Sequence, residues 1–228
     1  MQSETNQKPL LGADNNTLVA LLGINLVCYV ILGLIKVVYY LESLPLDQFY
    51  TQIFQPFIMN GDWMKHPWSL FTYNWIQDGF WSLFTNMSWM SFFSYYLQVN
   101  GYNKHLFPIY FYAGIVGAAV FILLGFDHVL LGATVSVTGI VVTGMALIPN
   151  YKLLSNIGGG VPLWIFGLCY LILQGYVLSN EPVQTILTVM MGGLAGLFYV
   201  LLLKKGYDLG KWMHQLLHLL NNSLAPKN

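Results

Sequence analysis

Long apolar blocks, separated by short polar turns, run through the chain from residue 17 onward. They cover Thr17–Tyr40, Phe80–Leu97, Phe107–Phe126, Val129–Ile148, Pro162–Leu178 and Val183–Leu203. About 20 apolar residues in a helix cross the hydrocarbon core of a bilayer. No water reaches that core, so a crossing segment must pair its own backbone groups, as a helix does. The pattern predicts six spanning helices in an all-α polytopic bundle. The turns between them carry Asn100-Gly101, Pro149-Asn150 and Gly158-Gly159-Gly160, residues that end helices.

The block Thr17–Tyr40 exceeds the roughly 7–15-residue core of a cleavable signal peptide. It is expected to be an uncleaved first span. The predicted organisation is a polar N-terminal tail at 1–16, a membrane domain at 17–203 and an amphipathic tail at 204–228. Within the domain, Leu41–Gly79 is broken too often by Pro, Asp and Gly to cross. It reads as an interfacial first loop, with Trp63, Trp68, Tyr73, Trp75 and Trp81 at headgroup level, where amphipathic rings settle.

Composition strengthens this picture. With 56% hydrophobic and 8% charged residues, a soluble domain of 228 residues could not cover its surface. The zero net charge says nothing about nucleic acid, but the lack of a basic run and of an accompanying aromatic pattern excludes a nucleic-acid surface. An N-terminus in the cytoplasm places Lys8, Lys104, Lys152, Lys204, Lys205, Lys211 and Lys227 inside, against Lys36 and Lys65 outside. Both termini are then cytoplasmic. In the tail, Trp212, Leu216, Leu217 and Leu220 can lie on the inner leaflet. Cys28 and Cys169 fall within apolar blocks and suggest no disulfide or zinc framework. His214 and His218 stand one turn apart, but two ligands without a third make a poor metal site. No metal and no cofactor are expected.

In lipid, helices associate where small residues let backbones approach. Gly132, Ser136, Gly139 and Thr143 recur at steps of four, three and four in the fourth block, and Gly192, Gly193 and Gly196 form a GxxxG-type surface in the sixth. Gly114 and Ala118 repeat that spacing in the third. The fourth and sixth spans are expected to pack together.

Several motifs occur in one order: His66-Pro67-Trp68-Ser69-Leu70-Phe71-Thr72-Tyr73, Gly79-Phe80, Asn86-Met87-Ser88-Trp89, Gly132-Ala133-Thr134-Val135-Ser136, Pro149-Asn150-Tyr151 and Gly192-Gly193. Together they resemble the rhomboid intramembrane serine proteases. Lys205-Gly206-Tyr207-Asp208-Leu209-Gly210-Lys211-Trp212 is similar to the tail of one bacterial branch of that family. The resemblance implies a rhomboid-like six-transmembrane-helix bundle, in a bacterial inner membrane, contacting lipids and transmembrane segments of other proteins.

It also implies where a catalytic site would stand. Thr134 takes the position of the serine nucleophile, with its extra methyl and with Val135 where the family prefers a small residue. Met190, two residues before Gly192, takes the position of the histidine base, and a thioether accepts no proton at physiological pH. Ser82 replaces the second-span histidine that helps hold the oxyanion, Gln77 replaces one upstream, and Asn86 survives. Losing one oxyanion donor costs about 3–4 kcal/mol of barrier, and losing the base costs more. An inactive pseudoprotease that still binds transmembrane partners is the predicted outcome.

Other readings of these residues exist. Thr134 and Ser136 also read as ordinary hydroxyls bonded to a carbonyl one turn earlier. Asn86 suits an interhelical hydrogen bond as well as an oxyanion role. An enzyme could remain if Thr134 or Ser136 attacked with help from His128, beside Asp127, although six residues of helix are roughly 9 Å. A solute carrier is disfavoured because intramembrane charge is confined to Lys36, near a span end.

Overall fold

A computed structural model describes residues 16–77, 79–125, 128–153, 159–213 and 215 of the chain. Among the described residues six long helices form the bundle: α1 (Thr17–Leu41), α2 (Phe80–Val99), α3 (Asn103–Leu124), α4 (Thr134–Leu147), α5 (Leu163–Val177) and α6 (Val183–Lys204). Local chemistry sets their ends. Asn16 caps α1 by accepting from the Val19 amide at 3.3 Å. Gly79 (φ 95°) opens α2 and Gly125 (φ 98°) closes α3 in backbone conformations that side chains disfavour.

Helix α1, α3, α6 and α5 with its following turn are long and apolar enough to cross a membrane unaided. The other two depend on their neighbours. Helix α2 has the length but carries Ser82, Asn86 and Ser94, of which Asn86 and Ser94 are buried. Helix α4 has only 14 residues, about 21 Å against a core of about 30 Å. It survives because it is wrapped by α2, α3, α5 and α6, with nine of its residues buried.

The fourth span therefore begins at Thr134, five residues later than its apolar run suggests. The preceding strand-like segment is paired with the first loop: Leu130 and Met59 exchange amide hydrogen bonds of 2.9 and 3.0 Å, and the Gly132 amide donates to Tyr73 O at 3.0 Å. Non-helical backbone is tolerated at this depth because protein, not lipid, satisfies it. Gly132 is accordingly no part of the helical packing stripe. Its φ of 91° makes it a turn residue whose missing side chain faces Gln77 and Ser82.

Helices α4 and α6 approach backbone to backbone. A Cβ on Gly196 would run into the Gly139 carbonyl, and one on Gly192 would stand 2.6 Å from the Val135 carbonyl. Gly193 faces Thr138 and Val142. Ser136 instead turns to α3, where a Cβ on Gly114 would meet its hydroxyl at 3.0 Å.

The first loop is more than interfacial. It forms short helical turns over Leu46–Phe57 and Ser69–Trp75, and the second of these enters the bundle against α1, α3 and α4. Tyr73 is fully buried and donates to Gly114 O at 2.7 Å, and Trp75 packs on Tyr110. Trp63, Trp68, Trp75 and Trp81 keep at least the partial exposure expected at headgroup level, whereas Tyr73 does not. A two-residue antiparallel pairing, β1 (Lys152–Leu153) with β2 (Val161–Pro162), ties α4 to α5.

After α6 the chain folds back onto the protein. Trp212 Nε1 donates to the Tyr112 hydroxyl at 2.7 Å, that hydroxyl donates to Leu209 O at 3.1 Å, and Met213 is buried. Trp212 thus docks its indole on α3 while about half of its surface stays exposed. His214, Leu216, Leu217, His218 and Leu220 lie outside the described residues, as does most of the polar N-terminal tail.

Candidate functional site

An amide in lipid must find partners inside the protein. Four of them, Asn25 on α1, Asn74 and Gln77 in the first loop and Asn86 on α2, are buried together. Gln77 is the hub. Its Nε2 donates to Asn25 Oδ1 at 3.0 Å, and its Oε1 accepts from Asn86 Nδ2 at 3.1 Å and Ser82 Oγ at 3.3 Å. Asn25 reaches Leu21 O at 2.9 Å and, more weakly, the Tyr110 hydroxyl at 3.4 Å. The Tyr110 hydroxyl in turn donates to Asn74 O at 2.9 Å.

The network reaches α4 at two places. Thr134, the first residue of that helix, donates its hydroxyl to Asn86 Oδ1 at 3.2 Å. Ser136 shares its proton between Asn74 Oδ1 at 2.9 Å and Tyr110 O at 2.7 Å. Neither hydroxyl bonds back along the helix. Thr134 has no preceding turn to bond to, and it is Thr138 that reaches back to Thr134 O at 2.7 Å. Asn86 makes the interhelical bond: its oxygen faces Thr134, and its nitrogen is held by Gln77.

Above Thr134 lies a cavity of about 560 Å³ lined by Ser82, His128, Thr134, Gln174, Glu181 and Val189, among others. The N-terminus of α4, whose first-turn N–H groups have no intrahelical partner, opens at this cavity through Thr134 and Val135. Most of the lining is hydrocarbon, and its polar groups come from Ser82, His128, Thr134, Gln174, Glu181 and Thr185. His128 and Glu181 border it, but Thr134 makes its side-chain bond to Asn86 alone among the described residues.

Two residues weighed from the sequence fall elsewhere. Met190 is 59% exposed on the outer side of α6 and does not line the cavity, whereas Val189 is 4% exposed and does. Helical geometry explains the difference. Gly192 and Gly196 face α4, and two residues back from Gly192 is about 200° around the helix, while three residues back returns to within about 60° of that face. Ser136 is fully buried beneath the cavity with its hydroxyl committed to α3 and the loop, so it is not placed to attack anything there. Asp127 lies outside the described residues.

Asn25, Asn74 and Val189 join the site beyond the residues that the sequence motifs single out. Asn25 did carry a signal, as the single amide within the otherwise apolar α1. Asn74 carried none, because a loop amide gives no hint that its loop enters the bundle.

The amide hub has a measurable consequence. Gln77→Leu removes three side-chain hydrogen bonds and strands Asn25 and Asn86 in the interior. At roughly 0.6–1.7 kcal/mol per interhelical bond, the loss is expected to be about 2–4 kcal/mol, read as reduced stability against unfolding in mixed micelles. Unchanged stability would mean that the hub is not formed.

Comparison with known proteins bears on this site in one respect. The model of the Rhomboid domain matches residues 64–206, more than half of the chain, from the first loop through the end of α6. No curated protein and no solved structure gives a significant match.

Proposed function

We propose that this chain, which belongs to the rhomboid family, is a catalytically silent member that engages transmembrane segments of partner proteins without cleaving them. The observation that carries the reading is the surroundings of Thr134. Its hydroxyl gives its proton to an amide oxygen, which is no base, and the α6 side chains at the cavity are the hydroxyl of Thr185 and the hydrocarbon of Val189, neither of which takes a proton. A nucleophilic hydroxyl needs an adjacent proton acceptor. The position of the missing base is therefore assigned to Val189 in place of Met190. Ser82, at the cavity wall, is engaged with Gln77 and supplies no imidazole. The cavity itself is kept, which supports recognition without turnover.

The test incubates the purified protein with a fluorophosphonate probe and a transmembrane model substrate, beside Thr134→Ala and an active rhomboid. No labelling and no cleavage are expected while the control reacts, and photocrosslinkers at the cavity rim should capture membrane proteins. Labelling of the wild type that disappears in Thr134→Ala would overturn the reading. It would favour the second one, a divergent endopeptidase in which His128, on the same cavity, serves Thr134.

The same reading puts both termini in the cytoplasm and the chain in a bacterial inner membrane, supported by the lysine distribution and the similarity of the Lys205–Trp212 tail. Cysteines at Lys8 and Lys65 are expected to react with an impermeant thiol reagent from opposite faces. Labelling of both from one face would refute that topology.

A further inference from the structure

Away from the Thr134 cavity, α3 and α6 leave between them a groove of about 510 Å³, lined by Tyr112, Val116, Leu194, Phe198, Leu201 and Leu209 among others. Its walls are almost entirely carbon. The Tyr112 hydroxyl is already bonded to Leu209 O and Trp212, and the Tyr199 hydroxyl to His105 Nδ1 at 2.9 Å. Nothing in the groove calls for a polar ligand. On α6 it extends from Met191 to Leu201, ten residues or about 15 Å, which is half the roughly 30 Å hydrocarbon core. Its depth is that of one leaflet.

The end of the groove carries charge. Leu194, Phe198, Leu201 and Lys205 follow one another at steps of four, three and four, so Lys205 continues the stripe that forms the wall. Lys211 precedes Trp212, whose indole is anchored on the wall residue Tyr112. Both lysines are exposed, and neither has an ion-pair partner among the described residues. The acidic residue of this segment, Asp208, is already engaged by the protein, accepting from the Gly210 amide at 2.9 Å, lying 3.7 Å from His105 Nδ1 and interacting with the Tyr199 hydroxyl.

We propose that this groove holds an acyl chain of an anionic phospholipid, whose phosphate is bound by Lys205 and Lys211. The chain fills a leaflet-deep apolar slot, and the lysines supply the complementary charge where the headgroup emerges. A second copy fits less well, because a two-fold pairing of equally oriented molecules through this face would bring the lysine pairs of both toward each other.

Native mass spectrometry of the full chain, titrated with phosphatidylglycerol or with phosphatidylcholine, tests the assignment. One phosphatidylglycerol is expected to bind more tightly than phosphatidylcholine, by about fivefold for each lysine engaged. Lys205→Gln with Lys211→Gln should erase that preference while leaving chain binding intact. Leu194→Trp, or Val116→Trp from the opposite wall, should fill the groove and lose the retained lipid whatever its headgroup, at unchanged melting temperature. A phosphatidylglycerol preference that survives the double lysine variant, or lipid retention unaffected by both tryptophans, would overturn the proposal. So would a dimer that either tryptophan abolishes, which would identify a second copy as the occupant.

Discussion

Gly196→Leu is expected to destabilise the protein by about 3 kcal/mol or more, at the upper end of what overpacking costs. At most core positions an added side chain displaces other side chains, which can change rotamer. Here the obstacle is backbone, because even a Cβ at Gly196 collides with the Gly139 carbonyl and would stand 2.8 Å from Thr143 Oγ1. The only relief is to part α4 from α6. That separation would also draw Gly192 away from Val135 and loosen the cavity wall to which Val135 and Val189 contribute. Gly192→Val should act alike. The control is the pair Gly33→Ala and Gly175→Ala, whose new Cβ atoms would meet nothing within 4 Å and which should be neutral or stabilising by up to about 1 kcal/mol. Unfolding in mixed micelles measures all four. Equal effects at Gly196 and Gly33 would show that α4 and α6 are not in backbone contact.

The glycines were legible in the sequence because small residues at helical spacing report directly on helix contact, and Gly139, Gly192 and Gly196 could be paired without coordinates. The limits of that periodicity show at the ends of the same stripe. Gly132 falls on the arithmetic of the fourth span but precedes the helix, because apolar character does not reveal where a left-handed glycine turns the chain. Tyr73 has the composition of an interfacial aromatic, yet its hydroxyl is bound within the bundle to Gly114 O. No local signal separates a loop that floats at the headgroups from one that enters between helices. The difference lies in partners 41 and 62 residues away, Gly114 for Tyr73 and Ser136 for Asn74.

The misplacement of Met190 has the same origin. Counting back from Gly192 gives a position in the chain, but only the facing of α6 says which neighbour sees the cavity. Gly192 and Gly196 fix that facing through Val135 and Gly139, and they select Val189. Neither methyl-bearing side chain takes a proton, so a base is expected to be missing at either position. Which residue would restore it depends entirely on the facing of α6.

That dependence is the basis of the second large effect. A combined Thr134→Ser, Val189→His and Ser82→His protein is expected to gain labelling by a fluorophosphonate probe and slow cleavage of a transmembrane substrate, where the starting protein is expected to show neither. The three changes are needed together because the deficits multiply. Removing the base of a model serine hydrolase lowers kcat by about 10⁶, and one oxyanion donor is worth about 10²–10³. Val189→His alone should stay below detection, since Thr134 would keep its crowding methyl and its bond to Asn86. The informative comparison keeps Thr134→Ser and Ser82→His but moves the histidine to Met190. An imidazole there would start from a side chain 59% exposed on the far side of α6, out of reach of the cavity, so no activity is expected. Activity with histidine at 190 and none at 189 would mean that α6 is rotated relative to α4, and the packing of Gly192 and Gly196 against Val135 and Gly139 would fall with it. Activity at 189 alone would show that the cavity retains the geometry of a protease and lacks only the nucleophile, the base and the oxyanion donor that the three changes supply.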